Sequence, residues 1–325
     1  MKVHITNCPQ KTPYHYVNLL VGAFKSLKYG VFEFDDAYYS SLYLSMDRFV
    51  KRSFFFLLVK KWPEYFDFKQ KYKDFIGKQW LKTLKDFKPD VVLIINTGWL
   101  SVKSVRIAKE NLRIPHIICW IVDDPGASPA EDSVGAFPYC DIIFSTDPGW
   151  IPFIKFFNQN VFYLPLASSQ IIYKPLNIPR DLDFSFVGSF FKNDPAGFLR
   201  AFIISNLPQN YKAEIYGPGI NYFRNIYPRL KNFKRYDKIL NGDEVNKLWN
   251  RSKLTATIYN PQVREGSAPR VFDAALTKVL QIVQNTPTIQ DLFPGINVPV
   301  FRSISEFNEK LDYYELWVRP QYSKS

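Results

Sequence analysis

Two acids lying eight positions apart set the chemistry this chain can do. Glu265 and Asp273 enclose Gly266-Ser267-Ala268-Pro269-Arg270-Val271-Phe272. The apolar run from Leu254 to Tyr259 ahead of them reads as a strand, and the pattern from Arg270 onward reads as a helix. A loop that passes from a strand into a helix N-terminus offers backbone N–H groups and the positive end of the helix dipole, which suits a phosphorylated ligand. Gly266 and Ser267 would present such N–H groups, and Arg270 would start the helix. An ionised carboxylate offers only acceptors. Glu265 can therefore take sugar hydroxyls, and Asp273 the vicinal hydroxyls of a ribose. The same residues also fit a plainer role, a solvent-facing loop acid followed by a first-turn dipole partner.

Other residues of the second half fit the same ligand. Gly188-Ser189-Phe190-Phe191-Lys192 follows the strand-like run Phe184 to Val187. Glycine there admits a tight turn and close approach of an anion, Ser189 can donate, and Lys192 can screen phosphate charge. Gly217 and Gly219 form a second loop after the run Ala213 to Tyr216. Arg251 and Lys253, just before the Leu254 strand, could reach a diphosphate, or could serve the dipole at a helix end.

The first half offers fewer candidates. His15 follows the first strand's loop, where imidazole could contact a sugar hydroxyl or assist proton transfer. Asp123 and Asp124 follow the strand 117–122 and could hold acceptor hydroxyls or supply a general base. Asp147-Pro148-Gly149-Trp150 and Thr97-Gly98-Trp99 read as turns whose tryptophans either stack on a sugar or pack. His4 and His116 read as core or edge residues. Three scattered histidines predict no metal site.

These residues need a scaffold, and the chain alternates strand and helix throughout. The first half reads as strands near residues 3–6, 31–34, 91–95, 114–122, 141–145 and 161–164. Its helices fall near 14–27, 47–61, 72–87, 101–112 and 150–157. The stretch 168–181, with Pro175 and Pro179, reads as a connection. A second series then follows, with strands near 184–187, 213–216, 233, 254–258, 279–283 and 298–301. Its helices fall near 196–205, 243–252, 270–277, 287–293 and 305–316. The expected organisation is two domains, residues 1–170 and 171–325, each a Rossmann-like α/β unit with a parallel sheet.

Composition narrows the partners. The 325 residues carry a formal charge of +12, so nucleic acid, anionic lipid and nucleotide-linked substrates are all compatible. There is no zinc-finger spacing, no basic region followed by heptads and no Walker Gly-rich loop. The segment 48–88 mixes bases with aromatics, which fits a solvated helical face, a surface against anionic lipid or contact with nucleic acid. Cys8, Cys119 and Cys140 suggest no disulfide framework, and Cys119 and Cys140, in strand-like surroundings, read as buried thiols. No signal peptide or spanning segment is expected, which predicts a cytoplasmic protein, with contact at the inner face of the membrane as an option.

Asp183-Phe184-Ser185-Phe186-Val187-Gly188-Ser189, Ile215-Tyr216-Gly217 and Arg270-Val271-Phe272-Asp273-Ala274 resemble the nucleotide-binding domain of GT-B glycosyltransferases. They are most similar to the CgeB-like (spore maturation protein) group, which Asp123-Asp124-Pro125 also resembles. The resemblance covers residues 90 to 312 and is strongest after 180. It implies two Rossmann-like domains with parallel sheets facing a central cleft, the acceptor mainly on the first and a nucleotide-diphosphate sugar on the second. It implies retaining transfer with no metal and no further cofactor. Retaining members carry Glu, seven residues, then Glu, whereas Asp273 holds the second place here. Lys278 stands where a glycine is usual. These departures keep two alternatives open: an inactive GT-B-like module that binds sugar or protein, and a basic nucleic-acid-binding protein.

Overall fold

The computed structural model describes residues 1–6, 16–35, 45, 68–96, 100–125 and 134–322. The chain divides into two compact units, Met1–Leu164 and Pro165–Ser325.

In the first unit the described elements are β1 (Lys2–Ile5), α1 (Tyr16–Ser26), β2 (Gly30–Glu33), α2 (Phe68–Phe87), β3 (Val91–Ile95) and α3 (Val102–Glu110). They continue with β4 (His116–Ile121), β5 (Ile142–Ser145), α4 (Ile151–Ile154) and β6 (Val161–Tyr163). The strands form one sheet in the order β2-β1-β3-β4-β5-β6, and every pairing is parallel. Alternation along β3 shows why its apolar run is continuous. Val92 and Ile94 pack with Trp80 and Leu84 of α2, while Leu93 and Ile95 pack with Val17 and Val21 of α1. A strand covered on both faces has no polar positions to spare. His4 belongs to this core, fully buried, stacked on Phe32 at 5.0 Å and hydrogen-bonded through Nε2 to Thr83 Oγ1 at 3.0 Å. Burial lowers its pKa to about 3, so it is neutral.

The second unit contains β7 (Leu182–Val187), α5 (Pro195–Ser205), β8 (Ala213–Tyr216), α6 (Ile220–Phe223), β9 (Lys234–Tyr236) and α7 (Gly242–Arg251). After these come β10 (Ser252–Thr257), α8 (Pro269–Leu276), β11 (Leu280–Gln284), β12 (Val300–Phe301) and α9 (Ile304–Tyr322). The strand order is β12-β11-β10-β7-β8-β9, again all parallel. From β7 the chain winds to one side, through β8 and β9. From β10 it winds to the other, through β11 and β12. The winding therefore reverses between β7 and β10, and the connections leaving their carboxyl ends diverge. Open parallel sheets hold ligands in the crevice such a reversal leaves.

Two expectations change. The helix expected over 287–293 is a run of turns, with Ile289 N–H bonded to Thr286 O at 3.3 Å and Leu292 N–H to Thr288 O at 3.2 Å. Pro287 and Pro294 bound the run, and a helix this short between prolines cannot propagate. The stretch read as a connection is fastened to α7. Asn246 Oδ1 accepts from Lys174 N–H at 3.0 Å and Asn250 Oδ1 from Leu176 N–H at 2.6 Å. The helix expected over 47–61, residues 48–67 of the basic segment, His15, Cys8 and Thr97-Gly98-Trp99 lie outside the described residues, whereas Phe68–Phe87 of that segment forms α2.

Candidate functional site

The reversal between β7 and β10 is spanned by two arginines. Arg200, buried on α5, donates from Nη1 to Ser189 O at 3.0 Å and Ser189 Oγ at 3.1 Å. Its Nε donates to Ile258 O at 3.3 Å, just past β10. Arg270, on the first turn of α8, donates from Nη1 to Val187 O at the end of β7. Arg200 thus ties the exit of β7 to the exit of β10, and Arg270 ties the first turn of α8 to the exit of β7. Among the described residues neither guanidinium forms an ion pair. Burial lowers the pKa of Arg200 to about 10, the nearby Arg270 adds to the shift, and Asp194 opposes it. Burial likewise lowers Arg270, against the pull of Asp273 and Tyr173. A guanidinium has five N–H donors, so both groups have donors to spare for an anion. Arg200 carried no signal in the sequence, since an arginine amid apolar helix positions looks like an exposed one.

The glycines of the two neighbouring turns serve close approach. A Cβ on Gly217 would lie 1.7 Å from Gly188 O. A Cβ on Gly188 would lie 2.7 Å from the Phe186 ring and 3.3 Å from Arg270 Nη1. Their N–H groups are already used, Gly188 to Tyr216 O and Gly217 to Tyr236 O, both at 3.0 Å. Gly188 and Gly217 therefore shape the turn and do not donate to a ligand. Ser189 is half-buried and its hydroxyl is held by Arg200; among the described residues its N–H has no acceptor.

The loop into α8 has the same character. Gly266 and Ser267 are buried, and among the described residues neither N–H has an acceptor. The Ser267 hydroxyl meets the Tyr259 hydroxyl at 3.1 Å, which pins the loop to the end of β10. Ala268 caps α8 without a side-chain hydrogen bond, and Pro269 follows at the first helical position. Glu265 is exposed, and its carbonyl accepts from Thr288 N–H at 3.3 Å and Thr288 Oγ1 at 2.5 Å. Its loop is thereby held to the turns after β11.

Asp273 is buried inside α8, and its Oδ1 accepts from Ser168 Oγ at 2.5 Å. Burial raises its pKa to about 6, with Ser168 and Arg270 pulling the other way. Tyr173, its ring tilted against Trp249 at 5.8 Å, has its hydroxyl pKa raised by burial and then by the Asp273 charge. Gly188, Arg200, Arg270, Asp273, Ser168 and Tyr173 thus belong to one neighbourhood.

Arg251 and Lys253 do not join it. Arg251 binds Asp181 through Nε and Nη2, both at 2.8 Å, and lies 3.6 Å from Glu214. Lys253 binds Asp183 at 2.8 Å. Both stand at the amino ends of β7 and β10, about 16 Å from Gly188 at the usual rise per strand residue. A cation placed just before a parallel strand is at the wrong edge of the sheet to meet a ligand. Lys192 is exposed beyond the Ser189 turn.

On the first unit, Asp123 is exposed beyond β4. Its Oδ2 accepts from Asn96 Nδ2 at 2.8 Å, while Asn96 Oδ1 accepts from Val122 N–H at 2.9 Å. Asn96 has a φ of 43° and was not singled out from the sequence. Asp124 is half-buried beside it. Asp147 caps its own turn, accepting from Gly149 N–H at 2.9 Å. Among the described residues no three His, Cys, Asp or Glu side chains are placed to hold a metal ion.

The comparisons agree with this architecture. Residues 197–317 match a family described as glycosyl transferase-like. No curated protein matches the chain in sequence. Among solved structures, sucrose-phosphate synthase from Thermosynechococcus elongatus is similar with a TM-score of 0.65 at 8 % identity, over 98 % of this chain and 90 % of that one. Anabaena HepE in complex with UDP-glucose gives 0.62 at 11 % identity, over 96 % and 89 %. UDP-GlcNAc 2-epimerase from Methanocaldococcus jannaschii gives 0.56 at 12 % identity, over 96 % and 92 %. With its two parallel six-stranded sheets and flanking helices, the chain has the α/β architecture of GT-B glycosyltransferase structures.

Proposed function

We propose that the chain is a glycosyltransferase that draws its sugar from a nucleotide-diphosphate sugar. The observation that supports this best is the pair of guanidiniums, Arg200 and Arg270, spanning the β7–β10 reversal without an ion-pair partner among the described residues. A desolvated cation that meets neutral oxygens but no ion-pair partner keeps part of its desolvation cost. A bound diphosphate offsets that cost and gains charge-assisted hydrogen bonds. The N–H groups of Ser189, Gly266 and Ser267 would add neutral donors, and the α8 N-terminus its dipole.

In the proposed reaction the bond between the anomeric carbon and the diphosphate oxygen breaks as an acceptor oxygen bonds to that carbon. The departing diphosphate gains charge, which the guanidiniums and loop amides stabilise where other folds use a divalent ion. Glu265 would hold sugar hydroxyls and Asp273 the ribose hydroxyls. Asp123, Asp124 and His15 would serve the acceptor on the first domain. Retention of the anomeric configuration and membership of the CgeB-like group rest on the Glu265–Asp273 spacing and on the segments 183–189, 215–217 and 270–274. A cytoplasmic setting fits the buried free thiols Cys119 and Cys140.

The epimerase likeness is a reminder that fold does not fix chemistry. A donor panel tests the proposal: UDP-, ADP-, GDP- and dTDP-sugars are assayed for binding and slow hydrolysis. At least one is expected to bind and to release its nucleoside diphosphate. Failure of all of them to bind sinks the proposal. The second reading, an inert sugar-binding module, is favoured by the buried Asp273 held by Ser168 and predicts binding with no turnover.

A further inference from the structure

Helix α5 is apolar on both of its faces. Ala201 and Ile204 point into the core, yet Phe198 and Phe202, one turn apart, are 39 % and 42 % exposed. A helix on the surface of a soluble unit normally carries polar residues there. The Phe198 ring meets Phe223 edge-on at 4.9 Å, Tyr222 meets Phe223 at 5.1 Å, and Phe202 meets Tyr227 at 6.1 Å. Tyr222 and Ile226 are themselves 49 % and 43 % exposed. The result is one continuous apolar surface running from α5 to α6 and the turn after it.

Charge tells what covers it. From Ile220 to Lys234 the chain carries Arg224, Arg229, Lys231 and Lys234 and no carboxylate. All four are exposed, and among the described residues none forms an ion pair. An aromatic and aliphatic centre bordered by cations matches the interfacial layer of an anionic bilayer. Apolar side chains enter the acyl boundary while lysine and arginine stay with the headgroups. A single-stranded nucleic acid would instead ask for open ring faces along a basic groove. Here Phe198 is turned edge-on against Phe223, and Ile226 offers no ring. We propose that this face of the second unit docks on an anionic membrane surface. The proposal is independent of the donor site and does not use the basic segment around residues 48–88.

The test is flotation of the full chain with vesicles of phosphatidylcholine alone or with about 30 % phosphatidylglycerol. The protein is expected to float only with the anionic vesicles, and less so at high salt. The double variant Arg224→Glu/Lys231→Glu should bind at least about ten-fold more weakly. Phe202→Ser/Ile226→Ser, which changes no charge, should also lose most of the binding. Circular dichroism and an unchanged melting temperature establish that each variant is folded. The proposal is overturned if both folded variants float like the parent, or if the parent does not float at all. It is also overturned if the same residues govern binding to a single-stranded oligonucleotide and not to vesicles.

Discussion

Asp273 is the residue at which stability and the proposed function pull apart. Its folded pKa of about 6 stands above the ordinary value of 3.8, so the folded chain holds the proton more tightly than the unfolded one. Stability contributed by this group is therefore present below pH 4 and declines as pH rises through 6, by about 3 kcal/mol in all. Asp273→Asn should then stabilise the ligand-free protein by about 2–3 kcal/mol at pH 7.5, with the gain fading towards pH 4. Denaturant melts across that range check it; a variant without gain at pH 7.5 means the carboxylate carries no such cost. If ribose hydroxyls need the ionised form, donor affinity in the parent falls as pH drops through 6, and calorimetry of the same protein reads this directly. The two acids were legible in the sequence from their type and spacing. The environment of Asp273 was not, because its partner Ser168 lies 105 positions away. Burial of Arg200 was hidden for the same reason, as it depends on which helix face the sheet covers.

At the scale of elements, position along a strand decides what a neighbouring residue can reach. The runs that became β3, β4, β7, β8, β10 and β11 were legible as apolar segments between helices, since strands buried on both faces carry almost nothing polar. Arg251 and Lys253 were read as bases just before the Leu254 strand that could reach a diphosphate, and they stand at the amino edge of the sheet, where they form ion pairs with Asp181 and Asp183. The turn run 287–293 misled because a few apolar residues between prolines mimic helix spacing. Two turn substitutions test the reading of the site's frame. Gly217→Ala places a Cβ against the Gly188 carbonyl and should destabilise by about 3 kcal/mol or more, lowering the midpoint of denaturant unfolding; a neutral outcome refutes the close approach. Lys278 ends α8 with a φ of 59°, a left-handed conformation that costs a side-chain-bearing residue about 1 kcal/mol. Lys278→Gly should recover about that much, measured the same way. The lysine therefore holds a left-handed turn that a glycine would hold without strain.

At the scale of the whole molecule, two parallel sheets explain where a ligand can sit but not whether it reacts. The alternation of apolar strands and helices made the two-domain α/β class legible from the sequence. The reversal between β7 and β10 was not, because strand order depends on pairings that no local pattern encodes. Transferase and inert module differ in one observable. Each should be stabilised by a nucleotide sugar, since a ligand that binds only the folded state adds about 2.7 kcal/mol at a hundred times its dissociation constant. At about 2.1 cal/mol/K of unfolding entropy per residue, that corresponds to a rise of about 4 °C in melting temperature for a chain of 325 residues. Only the transferase turns the sugar over. Glu265 is exposed and its loop is held by backbone and hydroxyl contacts to its carbonyl, so Glu265→Gln leaves those contacts in place while removing a negative charge. In a transferase this substitution should keep the thermal shift and lower turnover by about 100-fold or more. In an inert module the parent already shows the shift without turnover, and the substitution changes neither. A variant that keeps the parent's rate, in a parent that does transfer, removes Glu265 from the chemistry and leaves the two guanidiniums as the site's only defended part.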